Sequence, residues 1–320
     1  MSVHAVDNWR WSNPAKWLIW PFAHFFGWLF GLFRRRPGEI DQPTTEPSPA
    51  VDKTPKEEPA AAAVNWPPAR RAVIDGLWGE DTITPGVNEY VFETVQLLGL
   101  SDANSLLYLA AGMGGPVRKL NEETGIWVTG LEADGELAEI AAEKSKMSGQ
   151  AKKAPVTHFD PENPKIKENS FNAAMGLECC YKVADKEPLF KAVAKGLRPF
   201  GVFNFTDFVV PRESKPTEEV MRWLAKESSK PCFWTPEQVV GFLGGLNMEV
   251  QIAEDISDRY RVLVIKGWAN FIAGLDKASL TANAVAIISE CEYWIYRIAA
   301  LDSGGVRLYR FRAEKLKAAR

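Results

Sequence analysis

Leu106-Leu107-Tyr108-Leu109-Ala110-Ala111-Gly112-Met113-Gly114-Gly115-Pro116 is an apolar run that breaks into a glycine-rich turn. Such a run, closed by glycine, predicts a short strand over Ser105–Ala110. Pro116 opens a helix to Thr124, because proline in a first helical turn removes only an N–H that has no partner there. A second apolar run, Ile126–Leu131, predicts another strand, and it ends at Glu132, 20 residues after Gly112. Glycines between a strand and a helix let backbone approach a ligand with the helix N-terminus behind it. An acidic residue closing the next strand is placed to accept both hydroxyls of a ribose. The pair of features points to a nucleoside cofactor without saying which one.

Outward from this turn the same alternation continues. Helices are expected at Val87–Leu98, Leu137–Ser148 and Glu187–Leu197, and strands at Val156–Phe159, Phe171–Leu177 and Val202–Phe208. Strand–helix alternation gives a parallel sheet covered by helices on both faces, an α/β Rossmann-like arrangement. Further helices are expected at Thr217–Ser228, Pro236–Leu246 and Ser279–Leu301, with two closing strands at Met248–Ala253 and Val306–Ala313.

The chain has 320 residues, 46% hydrophobic and 25% charged, a composition able to bury a core. Its net charge of −3 argues against nucleic acid as a partner, since phosphate contacts need a basic surface. The charge is uneven, however. Residues 1–36 carry five basic side chains against Asp7 alone, a local excess of +4 that leaves −7 on the remainder. Five of the 12 tryptophans lie there too, and Trp17–Phe33 is free of charge before Arg34-Arg35-Arg36. At about 25 Å as a helix this run falls short of a ~30 Å hydrocarbon core, and Pro21, Gly27 and Gly31 interrupt it. Trp, Phe and Arg together are the make-up of a segment at the headgroup level, so residues 1–36 are expected to bind a membrane lipid surface, monotopic or as one short span. The three arginines place the rest of the chain at the cytoplasmic face. Residues 37–68, rich in Pro, Glu and Ala, are expected to be a disordered linker, and 69–320 the folded domain. The four cysteines show no zinc spacing, and adjacent Cys179 and Cys180 read as packing residues; no metal site is expected.

Several stretches resemble the S-adenosyl-L-methionine-dependent class I methyltransferases, especially the sterol, tocopherol and phosphoethanolamine group. Leu77-Trp78-Gly79-Glu80 with Pro85-Gly86 is similar to the segment before that family's first strand. The run Leu106–Pro116 resembles its cofactor loop V-L-D-x-G-C-G-x-G-G-P. Asp160 with Ser170-Phe171-Asn172-Ala173, Glu178 through Lys186, Gly196-Leu197-Arg198-Pro199-Phe200-Gly201, Thr206-Asp207-Phe208 and Glu254-Asp255-Ile256-Ser257 follow in order, over roughly 250 residues. The resemblance implies a mostly parallel seven-stranded methyltransferase sheet. It implies a cofactor, S-adenosylmethionine, held by Ala110, Ala111, Gly112, Gly114, Glu132 and Asp160.

Four positions depart from the pattern, among them Asn172, which replaces an aspartate. Tyr108 replaces the loop's acidic residue, Ala110 its first glycine, and Lys182 stands where relatives often have histidine. A protonated lysine cannot serve as a base at neutral pH. Glu178 reads either as a catalytic or acceptor-facing carboxylate or as a hydrogen-bonded strand end. Trp78 and Tyr181 read either as the lining of an apolar acceptor pocket or as core. The expected function is methyl transfer to a lipid-like or other small amphipathic acceptor at a membrane; a degenerate methyltransferase fold serving as a membrane-associated binding or scaffolding module is the alternative.

Overall fold

The computed structural model describes residues 66–212, 215–227 and 231–317. The chain divides into two units, Met1–Ala60 and Ala61–Arg320. The expected membrane segment and nearly all of the expected linker lie outside the described residues.

The folded unit begins with α1 (Pro68–Trp78), followed by a π-helical turn Asn88–Phe92 that runs into α2 (Glu93–Leu97). Then come β1 (Ser105–Leu109), α3 (Gly115–Thr124), β2 (Trp127–Glu132), α4 (Gly135–Met147), β3 (Val156–His158) and β4 (Phe171–Gly176). The second half holds α5 (Glu187–Gly196), β5 (Leu197–Val209), α6 (Glu218–Leu224), α7 (Pro236–Gly245) and β6 (Met248–Asp255). It closes with α8 (Ser257–Ala273), α9 (Lys277–Asp302) and β7 (Arg307–Lys315).

Seven strands form one sheet in the order β3-β2-β1-β4-β5-β7-β6. β1 to β5 are parallel, while β7 runs antiparallel to both β5 and β6. From the centre the connections run outward in both directions. Right-handed crossovers then put α3 and α4 on one face and α5 on the other. Stacked Phe203, Phe205 and Phe311, with ring centroids 4.2 and 5.1 Å apart, tie β5 to the inserted β7. Phe190 of α5 packs on the same rings.

Two expectations need correction at the edges. The linker does not extend to Pro68. Trp66 is buried with Ile74, Met113 and Leu137, and its indole N–H donates to Asp134 at 3.0 Å. Its ring also stacks under the Arg70 guanidinium at 4.2 Å. Pro67 is the N-cap of α1 and Pro68 its first residue, so a proline pair that reads as tether in fact starts a helix. The second correction is α8, where no helix is expected from the sequence. Tyr260, Val264 and Trp268 recur every four residues and form its buried stripe, hidden in the sequence by the apolar, largely β-branched run Val262–Ile265.

Candidate functional site

The turn from β1 to α3 bends back on itself through three left-handed residues, Ala110 (φ +52°), Gly112 (φ +56°) and Gly114 (φ +80°). Glycine adopts such angles freely; alanine at Ala110 is strained by about 1–2 kcal/mol. Ala110→Gly is therefore expected to raise stability by about 1 kcal/mol, read as a higher midpoint in urea. An unchanged or lower midpoint would mean that the alanine methyl makes compensating contacts.

Glu132 ends β2 beside this turn. Its Oε2 accepts from the Gly112 N–H at 2.6 Å and its Oε1 from the Asp134 N–H at 2.9 Å. Burial pushes its pKa above the usual carboxylate range, and those two N–H donors pull only part of the way back. β3 brings Asp160 to the same edge, because Glu132 pairs with His158 in the sheet and its carbonyl accepts from the Phe159 N–H. Asp160 itself is exposed, with Oδ1 accepting from the Glu162 N–H at 2.9 Å.

A strap, residues 79–86, lies across the turn. The Gly115 N–H, first of α3, donates to the Asp81 carbonyl at 3.1 Å. The buried Asp81 carboxylate pairs with Arg118 of α3 and Lys144 of α4. A Cβ on Gly112 would meet Ile83 at 2.9 Å, and one on Gly115 would meet the Asp81 carbonyl at 2.8 Å. The loop's small residues are thus required by the chain's own close approach.

These residues meet S-adenosylmethionine unevenly. Its nucleoside half is matched: each Glu132 oxygen accepts one backbone N–H and keeps a lone pair for a ribose hydroxyl. The methionine half is not. Tyr108 is fully buried and offers no carboxylate to an ammonium group, and Ile83 lies over Gly112.

The other half of the site hangs from the ends of β4 and β5. Glu178 (φ +51°) receives the Tyr260 hydroxyl at 2.7 Å on Oε1 and Arg297 at 2.5 Å on Oε2. Arg297 is a buried guanidinium boxed by Tyr181, Phe208, Trp223, Tyr293 and Trp294, each ring centroid within 5.9 Å. It also donates to the Tyr181 hydroxyl at 2.8 Å and pairs with Glu227 at 3.3 Å. Burial alone would raise the Glu227 pKa, but Lys182 at 2.9 Å, Arg297 and the Tyr293 hydroxyl bring it down to about 2. Beneath them Lys186 and Asp207 form a fully buried pair at 3.0 Å. Asp207 also accepts from the Cys180 and Tyr181 N–H groups at 3.2 and 2.7 Å.

The sequence candidates therefore separate into two clusters. Ala110, Ala111, Gly112, Gly114 and Glu132 converge at the β1–β2 edge, with Asp160 at its rim. Glu178 and Tyr181 sit together at the Arg297 box, where the carboxylate is committed to a cation and is no free base. Trp78 stands apart on the far side of Trp294, at 4.7 Å, and lines an open groove of about 870 Å³ with Glu80, Pro116, Lys119, Leu263 and Lys266. Arg297, Glu227 and Tyr260 are not singled out in the sequence, while Lys186 and Asp207 fall in stretches that carry the resemblance but have no role assigned there. An arginine on the apolar stripe of α9, between Trp294 and Leu301, was the available signal. Among the described residues no three His, Cys, Asp or Glu side chains converge to hold a metal, and no helix is long and apolar enough to cross a membrane.

No family model matches the chain. Phosphoethanolamine N-methyltransferase 2 of Caenorhabditis elegans is 24% identical over 212 residues, covering 63% of this chain and 42% of that one. A sterol 24-C-methyltransferase of Aspergillus fumigatus is 26% identical over 113 residues, 35% of this chain and 30% of its own. The chain thus spans less than half the length of these two relatives. Among solved structures, phosphoethanolamine N-methyltransferase 2 of Haemonchus contortus, in complex with phosphomonomethylethanolamine and S-adenosylhomocysteine, superposes with a TM-score of 0.62 at 16% identity. That match covers 77% of this chain and 57% of the other. The chain has the class I methyltransferase fold, and its sequence relatives are phosphoethanolamine and sterol 24-C-methyltransferases.

Proposed function

We propose that the chain is an S-adenosylmethionine-dependent methyltransferase that works at the cytoplasmic face of a membrane on a lipid-like or other small amphipathic acceptor. The observation that carries the reading is the Glu132 carboxylate, closed onto the Gly112 N–H at the carboxyl edge of β1 and β2. Bound there, the cofactor supplies a methyl already activated on its sulfonium. The chain's work is positioning and exclusion of water. Glu132 holds the ribose, Asp160 lies at the adenine side, and the strap closes over the turn. Glu178, the carboxylate expected to face the acceptor, is held by Arg297 and is no free base, which favours an acceptor that is nucleophilic unaided.

Calorimetry of the full chain with S-adenosylmethionine and S-adenosylhomocysteine tests this. Glu132→Ala is expected to weaken binding by about 1.5–3 kcal/mol, the worth of hydrogen bonds to a charged acceptor. Absence of heat from the folded wild-type chain at millimolar ligand would sink the reading. A second reading, a fold kept as a membrane-associated binding module, is favoured by Tyr108 and by Ile83 over Gly112, and that silent titration is its signature. Attachment through residues 1–36 is tested by flotation with anionic vesicles. The full chain should float and a chain lacking 1–36 should not; equal behaviour of the two would remove the anchor from this proposal.

A further inference from the structure

The turn after β4 places two free thiols side by side. Cys179 Sγ and Cys180 Sγ are 3.3 Å apart; Cys179 is half-buried and Cys180 fully buried. Cys179 sits over Gly176, the last residue of β4, where a Cβ would meet its Sγ at 2.9 Å and Leu109 of β1 at 3.1 Å. The turn itself hangs from β5. The Glu178 N–H donates to the Thr206 hydroxyl at 3.0 Å, and the Cys180 and Tyr181 N–H groups donate to Asp207.

We propose that Cys179 and Cys180 are a peroxide-sensitive thiol pair that closes reversibly to a disulfide and thereby alters the cofactor cleft. The functional half of this inference rests on the methyltransferase reading; the chemical half does not. Cys179, the more accessible of the two, reacts first. Cys179, as thiolate, attacks one oxygen of hydrogen peroxide, the O–O bond breaks, and hydroxide leaves to become water, giving a sulfenic acid. Cys180 Sγ then attacks Cys179 Sγ. The S–O bond breaks, and the hydroxyl departs as water with the proton of the Cys180 thiol. Two thiols lose two electrons and one peroxide becomes two waters. Burial, with Cys179 and Asp207 adjacent, pushes the Cys180 thiol well up, which suits it to the resolving role and not to first attack.

Closure needs the sulfurs to approach by about 1.3 Å, from 3.3 Å to the bonded distance of about 2.05 Å. Neighbouring Cα atoms are about 3.8 Å apart across a trans peptide, below the usual disulfide span of about 4.4–6.8 Å. The ring is therefore strained, and strained disulfides are readily reduced, as a reversible device requires. Rotation of the 179–180 peptide would take the Cys180 N–H from Asp207 and move Glu178, whose carboxylate pairs with Arg297. It would also shift Cys179 against Tyr108 and Leu109 at the methionine side of the cleft.

The experiment uses the reduced full chain, treated with hydrogen peroxide, alkylated, digested and weighed. The peptide carrying both cysteines should lose two hydrogens and take no alkyl group, and dithiothreitol should return both thiols. In Cys180→Ser, oxidation should stop at a sulfenic acid on Cys179 that dimedone captures. Titration with S-adenosylhomocysteine should show about tenfold weaker binding to the oxidised chain, restored by dithiothreitol. A peptide alkylated at both positions after peroxide, a sulfinic acid on Cys179 in the wild type, or a bridge to Cys232 would overturn the pair. Equal affinity of the oxidised and reduced chains would overturn its coupling to the cleft. A reduced chain that binds no cofactor defeats the methyltransferase reading and leaves the mass result to decide the pair by itself.

Discussion

Replacing Arg297 by methionine is expected to lower the folding stability of the chain by about 4 kcal/mol at neutral pH, the usual cost of stripping a buried ion pair of one partner. The guanidinium is buried, and both Glu178 and Glu227 turn a carboxylate oxygen toward it. Methionine fills much of the volume and leaves Glu178 with the Tyr260 hydroxyl alone, while Glu227 keeps Lys182. The five rings around the guanidinium lose a cation as well as a contact, which adds to the loss.

The acid limb of the same measurement carries a sign. The Glu227 pKa is about 2 folded against an ordinary value of 4.5. Its contribution is therefore fully present above pH 4.5 and is lost as the pH falls toward 2. At about 1.4 kcal/mol for each pH unit of depression, this one group supplies on the order of 3 kcal/mol. Urea denaturation from pH 7 to pH 2 should show that decline in the wild type and a shallower one in Arg297→Met. A variant within 1 kcal/mol of the wild type, with the same acid limb, would show that the box tolerates uncompensated carboxylates.

Lys186→Met is expected to cost about 3–5 kcal/mol. Lys186 and Asp207 are both inaccessible to solvent, and without the ammonium the carboxylate keeps only the Cys180 and Tyr181 N–H donors. Burial already raises the Asp207 pKa, against the pull of Lys186 and of those hydrogen bonds. A folded pKa raised above the unfolded one means that the ionised group destabilises the fold at neutral pH. Protonating it relieves that penalty, so lowering the pH should recover part of the loss in the single variant. Lys186→Met combined with Asp207→Asn should recover most of it at pH 7, because no charge is then left buried. Urea midpoints for the two variants decide the matter; equal losses in single and double variants would mean that the volume of Lys186, and not its charge, is what the core requires.

The half of the fold legible in the sequence is the half written in local pattern. Leu106–Pro116 announces strand, turn and helix within a dozen residues, and Glu132 follows at a spacing the βαβ unit fixes. β4, α5 and α7 are bounded by comparable local signals. Elsewhere local chemistry points the wrong way or is silent. Pro67-Pro68 belongs to a proline-rich stretch, yet Trp66 beside it is buried because a carboxylate 68 residues later accepts its indole N–H. α8 hides behind Val262-Leu263-Val264-Ile265. The candidate site divides likewise. The strand, glycine turn and helix expected to hold the cofactor could be placed residue by residue, whereas Glu178 could be read only as an isolated carboxylate. What decides its chemistry is Arg297, 119 residues further on, and no period or spacing connects the two.

The placement of β7 between β5 and β6 has a consequence for the order in which the molecule can be made. Val202 pairs with Glu314, and Val209 with Arg307, so β5 has no neighbour on that side until residues near 315 have left the ribosome. β6 is formed earlier in synthesis yet reaches the rest of the sheet only through β7. During translation the parallel strands can assemble as a unit, but β5 presents an open, phenylalanine-rich edge until β7 has emerged. Pairing across such sequence distances is intrinsically slow. Ribosome-stalled chains ending before Arg307 should thus be the ones most avidly held by chaperones, because β7 is the strand that seals this side of β5.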